Sequence, residues 1–395
     1  MITKLRLRNY RNHADTEIPL SPLTCFIGPA GGGKSNVFKA LELLRRTLQT
    51  SPKEYFGAGW DDFAGVRSRW AGPDDRIEIG VDVTGFKAYE SDHVAYEVEI
   101  GAGPVVTRER LVRHAGGAGA APQVIFDTAQ GIYITDKSNP GYEDSSQLRL
   151  AYSSPWDQRW NHHGNDAQEF AHAFARHLEL YWPYHLQADR LRQPGRANGR
   201  AKHFFDRDSL SAFLLALRNN PKTADRFDNI ESQLRELFPN LNGIAFVPAP
   251  RDELKVAFEF RGYSGVIPAD DLSDGTLYTL GLLCITEQPY PPYLIAIEEP
   301  ETGINPRRLK WLFERFADLA YREDGYPVQV LLSTHAPYLL DLFRDTPEAV
   351  CVMDAPEGRT RVRTLKTILA ENPELPDDVS LGTQWFMGFF EGWGE

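Results

Sequence analysis

The sequence predicts an α/β protein: a mixed sheet built around an anion-binding loop, an attached antiparallel β layer, and a compact helical lobe. Three observations carry this. An apolar run, Leu23 to Ile27, meets a glycine-rich turn and then apolar residues at helical spacing from Val37 to Leu44. Residues 77–83 and 94–100 alternate strictly between apolar and polar, the pattern of antiparallel strands with one wet face. Between about 165 and 240 the period changes to that of helices.

The turn reads Gly28-Pro29-Ala30-Gly31-Gly32-Gly33-Lys34-Ser35, followed by Asn36. Strand, glycine-rich turn and helix start are the context that makes this spacing a phosphate-binding loop. Backbone N–H groups of the turn and of the helix N-terminus wrap an anion. Lys34 reaches the outer phosphates as a mobile charge, and the Ser35 hydroxyl is placed to ligate Mg²⁺. On this motif alone we expect a purine nucleoside triphosphate to bind.

Composition narrows the class. The 395 residues are 42% hydrophobic and 25% charged, an ordinary globular make-up. The net charge of −12 argues against a surface coated in basic residues, though not against a local basic groove. Cys25, Cys284 and Cys351 lie in apolar runs without metal-like spacing and read as buried thiols. No stretch approaches eighteen clean apolar residues and Ile2 to Leu7 is no signal segment, so we expect a cytoplasmic, non-membrane protein.

Taken in order, Ile2 to Leu7 suggests a strand and residues 9–13 a turn. Arg11 there is a candidate contact for phosphate or base, with a solvated strand edge as the alternative. Strands follow at 77–83, 94–100 and 105–111, then a hairpin-like pair at 124–126 and 131–134. Helices are expected at 167–180, 209–218 (capped by Asp208) and 225–238. Between the first two lies the densest basic stretch, with Arg190, Arg192, Arg196, Arg200 and Lys202. It reads either as a contact for a nucleic-acid backbone or as a loop answering nearby carboxylates. A strand pair follows from Ile244 to Phe260, then an apolar helix from Leu277 to Thr286. Two short apolar runs, 293–297 and 328–332, read as buried parallel strands. The tail carries Trp385, Phe386, Phe389, Phe390 and Trp393, which either pack back or form a partner surface.

Polar clusters stand at the ends of apolar strands: the loop, Glu298-Glu299, and His335. In open α/β sheets ligands bind at the carboxyl ends of strands, so these can converge on one site. Glu298 would hold the Mg²⁺ shell with Ser35. Glu299 would orient the attacking water, and His335 would bond the γ-phosphate or that water. The expected catalytic groups are therefore Glu299, His335 and Lys34.

With these residues in view, a resemblance is plain. Glu298-Glu299-Pro300-Glu301 with Asn305-Pro306, Leu272-Ser273-Asp274-Gly275, and Ser333-Thr334-His335-Ala336-Pro337 resemble the Walker B, signature and switch-histidine motifs of ABC-type ATPases. The branch resembled is that of the RecF/SMC-like and OLD-like AAA ATPases, whose N-terminus Arg8-Asn9-Tyr10-Arg11 also matches. It covers about residues 1–45 and 265–345. The resemblance implies a P-loop ABC-ATPase-like core, ATP and Mg²⁺ as cofactors, and a homodimer with ATP sandwiched between subunits. Ser273 and Gly275 of one subunit would then touch the other's γ-phosphate. Four departures stand out. Ala30 replaces the branch's usual Asn, Glu298 replaces the commoner Asp, Gln158 is the sole and weak candidate for the Q-loop, and no coiled-coil arm fits in the middle. A Toprim-type nuclease is not expected, because Asp354 and Glu357 make no acidic metal cluster.

The expected division is 1–150 for the first part of the ATPase core, 151–240 for a helical lobe, and 241–395 for the rest of the core with the aromatic tail. The expected function is an ATP-hydrolysing dimerisation switch for a DNA-related process, anti-phage defence or DNA repair, acting with a partner effector. The alternatives are a RecF-like DNA clamp and a nucleotide-dependent interaction module that does not hydrolyse.

Overall fold

The computed structural model describes residues 1–59, 62–72, 74–86, 88–130, 166–196, 204, 209–323, 327–376 and 378–390. The chain starts with β1 (Ile2–Tyr10), β2 (His13–Pro19), β3 (Leu23–Ile27), α1 (Lys34–Thr47), α2 (Pro52–Gly57) and α3 (Phe63–Val66). Then come β4 (Ile77–Phe86), β5 (Tyr89–Gly101), β6 (Val105–His114) and β7 (Pro122–Asp127). The middle holds α4 (Asp166–Glu179), β8 (Tyr181–Tyr184), α5 (Ala188–Leu191), α6 (Leu210–Asn219) and α7 (Ala224–Leu237). Next are β9 (Leu241–Ala249), β10 (Glu253–Phe260), β11 (Ile267–Pro268) and α8 (Asp274–Thr286). The rest is β12 (Leu294–Glu298), α9 (Pro306–Ala320), β13 (Gln329–Ser333), α10 (Pro337–Leu340), β14 (Val350–Asp354), β15 (Arg361–Thr364), α11 (Leu365–Glu371) and α12 (Leu381–Phe386).

Three sheets organise these elements. The first is antiparallel, in the order β2-β1-β4-β5-β6-β7. Its alternation is plain in β5, where Val94, Tyr96, Val98 and Ile100 are buried and the residues between them half-buried. That buried face packs on Val37, Phe38 and Leu41 of α1 and on Phe170, Phe174 and Leu178 of α4. The opposite face is laced by cross-strand ion pairs such as Arg6–Asp82 at 3.0 Å.

The central sheet runs β15-β14-β3-β13-β12-β8, parallel except for β15. β3 and β13 are buried along their whole length, as two-sided cover requires. Register aligns Ser333 with both Phe26 and Glu298, so the carboxyl ends of β3, β13 and β12 open at one edge. The third sheet, β11-β10-β9, backs α6 and α7.

Within 151–240 the structure divides the expected helical lobe. α4 belongs to the core of the antiparallel sheet, β8 is the outer strand of the central sheet, and α6 and α7 pack against β9, β10 and α8. The cap of α6 is Ser209, whose hydroxyl accepts from Ala212 N at 3.3 Å, not Asp208. Asp208, the strand expected at 131–134, Gln158, Arg200, Lys202 and Trp393 lie outside the described residues. All three cysteines are buried free thiols. In the tail, Trp385 and Phe390 pack back while Phe386 and Phe389 stay exposed. Among the described residues no helix is long and apolar enough to cross a membrane.

Candidate nucleotide site

β3 ends at Ile27, and the chain turns through Gly28 to Gly33 into α1. The turn needs its glycines: Gly28 lies at φ 141°, and a Cβ there would sit 1.8 Å from the Met353 carbonyl oxygen. Side chains pin the turn from outside. Asn12 Nδ2 donates to Gly31 O at 2.8 Å, Thr360 Oγ1 to Gly32 O at 3.1 Å, and His13 Nε2 lies 3.3 Å from Gly33 O. Asn36 Nδ2 donates to Asn12 Oδ1 at 2.6 Å. Pro29, Ala30 and Gly31 form the exposed rim, where Ala30 brings no polar side-chain atom. Arg11 sits beside them in a left-handed conformation (φ 51°), its N–H donating to Val66 O at 2.6 Å.

Lys34 is buried, and its ammonium donates to Gly28 O at 2.7 Å and Pro29 O at 2.9 Å. Burial pulls its pKa below the ordinary lysine value, and the charges of Glu299, Glu301, Cys25 and Glu298 oppose that pull. The next residue closes the gap between the two ends of the sequence. Ser35 Oγ donates to Glu298 Oε2 at 3.2 Å across 263 residues of chain.

Beyond Glu298, the last residue of β12, Glu299 turns into the left-handed region (φ 47°) and its N–H donates to Ser333 O at 2.9 Å. A non-glycine residue held there costs on the order of 1 kcal/mol, a strain tolerated where neighbours fix it. Its Oε1 lies 3.7 Å from His335 Nε2. Glu301 ties the two turns together: Oε1 accepts from Thr334 Oγ1 and from His335 N, both at 2.8 Å. Glu298, Glu299, Gln187, Asp189, Asp274 and Tyr278 line a cavity of about 410 Å³.

Ser273 caps α8, its Oγ accepting from Thr276 N at 3.3 Å, and is exposed. Gly275 is buried, and a Cβ there would lie 1.9 Å from Gly303 O, so this glycine lets α8 pack on the turn after β12. Arg192 donates to Leu272 O at 3.1 Å and to Asp274 Oδ1, which brackets Ser273. In the basic stretch, then, Arg192 answers a carboxylate, Arg196 lies 3.8 Å from Glu253, and Arg190 is exposed.

The structure therefore brings Lys34, Ser35, Glu298, Glu299 and His335 together, and sets Ser273 and Gly275 at the head of a different helix. Asn12, His13, Glu301, Thr360 and Gln187 were not singled out from sequence. Glu301 was legible in the acidic run Glu298 to Glu301, and Asn12 and His13 in the turn before β2. Nothing in the sequence marks Thr360. Among the described residues no group of three or more His, Cys, Asp or Glu could hold a metal. A hydroxyl and a carboxylate converging beside a phosphate loop suit Mg²⁺, which takes few protein ligands and completes its shell with phosphate oxygens and water.

Comparison with known proteins gives the family. Residues 137–341 match the family described as "AAA domain, putative AbiEii toxin, Type IV TA system", and residues 1–100 match "AAA ATPase domain". The chain belongs to this AAA family. It is an AAA ATPase. The OLD nuclease of Thermus scotoductus is 39% identical over 44 residues, which span 11% of this chain and 8% of that protein. The AAA ATPase is also similar to the SMC head domain from Thermotoga maritima (13% identity, TM-score 0.44, 92% of this chain and 98% of that one). A Smc head domain from Pyrococcus furiosus, bound to the C-terminal domain of ScpA, is similar at 12% identity and TM-score 0.49, covering 95% of this chain and 99% of that one.

Proposed function

We propose that this ATPase is a dimerisation switch: ATP closes two copies face to face, and hydrolysis releases them. The observation that carries this reading is the meeting of Ser35 with Glu298 at 3.2 Å, beside Glu299 and His335 at 3.7 Å. Ser35 and Glu298 would hold Mg²⁺, which when bound neutralises charge developing on the phosphates. Lys34 and the loop from Gly28 to Asn36 would hold the triphosphate. Glu299 would orient the attacking water, with His335 beside it. Gln187, which lines the same cavity as Glu298 and Glu299, would take the place expected for Gln158.

Dimerisation is supported by the exposed Ser273, which caps the N-terminus of α8 and stands at the surface. We assign Ser273 to a second copy's γ-phosphate, and Gly275 to the packing that lets Ser273 stand there. The setting we propose is cytoplasmic anti-phage defence or DNA repair, with a partner effector. The family's toxin–antitoxin description and the OLD nuclease relative support it. Direct DNA binding through the basic stretch draws less support, since Arg192 and Arg196 already face carboxylates.

Native mass measurement of Glu299→Gln with and without ATP tests the proposal. A base removed while the metal and phosphate ligands stay should slow hydrolysis by about 10²-fold or more. The expected result is an ATP-dependent dimer that persists. Hydrolysis at the wild-type rate, or a monomer at saturating ATP, overturns it.

A further inference from the structure

Half-buried Trp70 carries two arginines over its ring, beside the turn whose Thr360 holds the phosphate loop. The Arg359 guanidinium stands 5.2 Å from its ring centroid and that of Arg69 5.6 Å. Both arginines are exposed, and among the described residues neither makes an ion pair, in a chain whose net charge is −12. Unpaired guanidiniums stacked on an indole are arranged to meet an anionic, flat ligand.

The strand order says which part of the nucleotide comes this way. Glu298 and His335 follow β12 and β13, which lie to one side of β3. The turn carrying Arg359 joins β14 to β15, on the other side of β3. A triphosphate on the loop, with its γ-phosphate at Glu299 and His335, must therefore lead its nucleoside toward β14. Four hydrogen bonds fix that wall. Thr360, next to Arg359, holds Gly32 O and donates its N–H to Asn12 O at 2.8 Å. The segment bearing Trp70 is tied to the turn after β1 by Ser68 N to Asn9 O at 2.9 Å and Arg11 N to Val66 O at 2.6 Å. Trp70 also packs on Gly358, where a Cβ would lie 3.2 Å from the indole.

We infer that Trp70, with Arg69 and Arg359, seats the adenosine half of the bound nucleotide. The base extends the indole–guanidinium stack, and the guanidiniums face the α-phosphate and ribose. This rests on the reading of residues 28–36 as the triphosphate cradle, so the test separates the two. Titration calorimetry with Mg²⁺ compares ATP with inorganic tripolyphosphate, which has the charge but no base. Trp70→Ala should weaken ATP binding by about tenfold and tripolyphosphate binding by less than about twofold, while Trp70→Phe stays near wild type. If Trp70→Ala binds ATP as the wild type does, or loses both ligands equally, the seat is refuted. Lys34→Ala is the control for the cradle: should it bind both ligands at full strength, the underlying reading fails instead.

Discussion

His13 offers the sharpest test of how the loop is supported. The imidazole is fully buried under the turn with Nε2 3.3 Å from Gly33 O, so the neutral ring donates there and Nδ1 has no partner. Burial lowers its pKa from 6.5 to about 4, and the bond to Gly33 opposes that shift only in part. The unfolded chain therefore takes up this proton at higher pH than the folded one. Stability is whole above pH 6.5 and is lost as pH falls through the window from 6.5 to about 4. The full effect amounts to about 3 kcal/mol, of which about 2 kcal/mol falls between pH 7 and pH 5. His13→Gln keeps an amide donor for Gly33 O and cannot titrate. Chemical unfolding followed by tryptophan fluorescence at pH 7, 6 and 5 should show the wild type losing about 2 kcal/mol more than the variant. Protection of the amides in the first turn of α1, taken relative to the intrinsic exchange rate at each pH, should fall with acid in the wild type alone. Parallel pH profiles for the two proteins would refute the reasoning.

Two further outcomes follow from buried polar groups. His177, packed against Phe86, Tyr181 and Tyr293, has both ring nitrogens buried without a hydrogen-bond partner, and burial holds it neutral. Replacing it by Leu should raise stability by about 1 kcal/mol, read as a higher midpoint in denaturant; a lower midpoint contradicts the account. Glu301→Ala removes the acceptor shared by Thr334 and His335. It should cut kcat by about tenfold or more with ATP affinity nearly kept, and Glu301→Gln, which retains one acceptor oxygen, should recover most of the loss. Equal effects of the two substitutions on kcat and on the dissociation constant would argue against a positioning role.

How much of this was legible beforehand depended on whether the signal was local. The loop from Gly28 to Ser35 carries its own context, strand before and helix after, and Glu298-Glu299 ends a run too apolar to be anything but a buried strand. Gln187 was hidden because β8 is only Tyr181-Trp182-Pro183-Tyr184. A proline in a run argues against a strand, and it is tolerated here because β8 is the sheet's outer strand and pairs on one side only. The fate of 151–240 was hidden for another reason. Helical periodicity says that a face is buried, not against which sheet, and α4 and α6 chose different ones. Thr360 reaches Gly32 across 328 residues, and no pattern in the intervening chain foretells that contact.

The ties around the site are unequal, and that inequality bears on how a switch of this kind would work. The ends of β12 and β13 are joined three times: by the paired register of Glu298 and Ser333, by Glu299 N on Ser333 O, and by the Glu301 carboxylate on Thr334 and His335. The backbone at Glu299 and His335 is thus set by one shared edge. The strand leading into the phosphate loop is tied to that edge through Thr334 N on Phe26 O at 3.0 Å, but among the described residues the helical end of the loop reaches it through a side-chain bond, Ser35 to Glu298, between the two groups proposed to share Mg²⁺. Ser273 is bracketed separately, by Arg192 on Leu272 O and Asp274. A nucleotide entering such a site need not build its acid–histidine pair. On the proposed reading it would exchange the Ser35–Glu298 bond for a metal bridge and present its γ-phosphate to the exposed cap of another copy's α8. Binding energy can then go into closing two surfaces rather than into arranging catalytic groups, which is the economy expected of a slow switch.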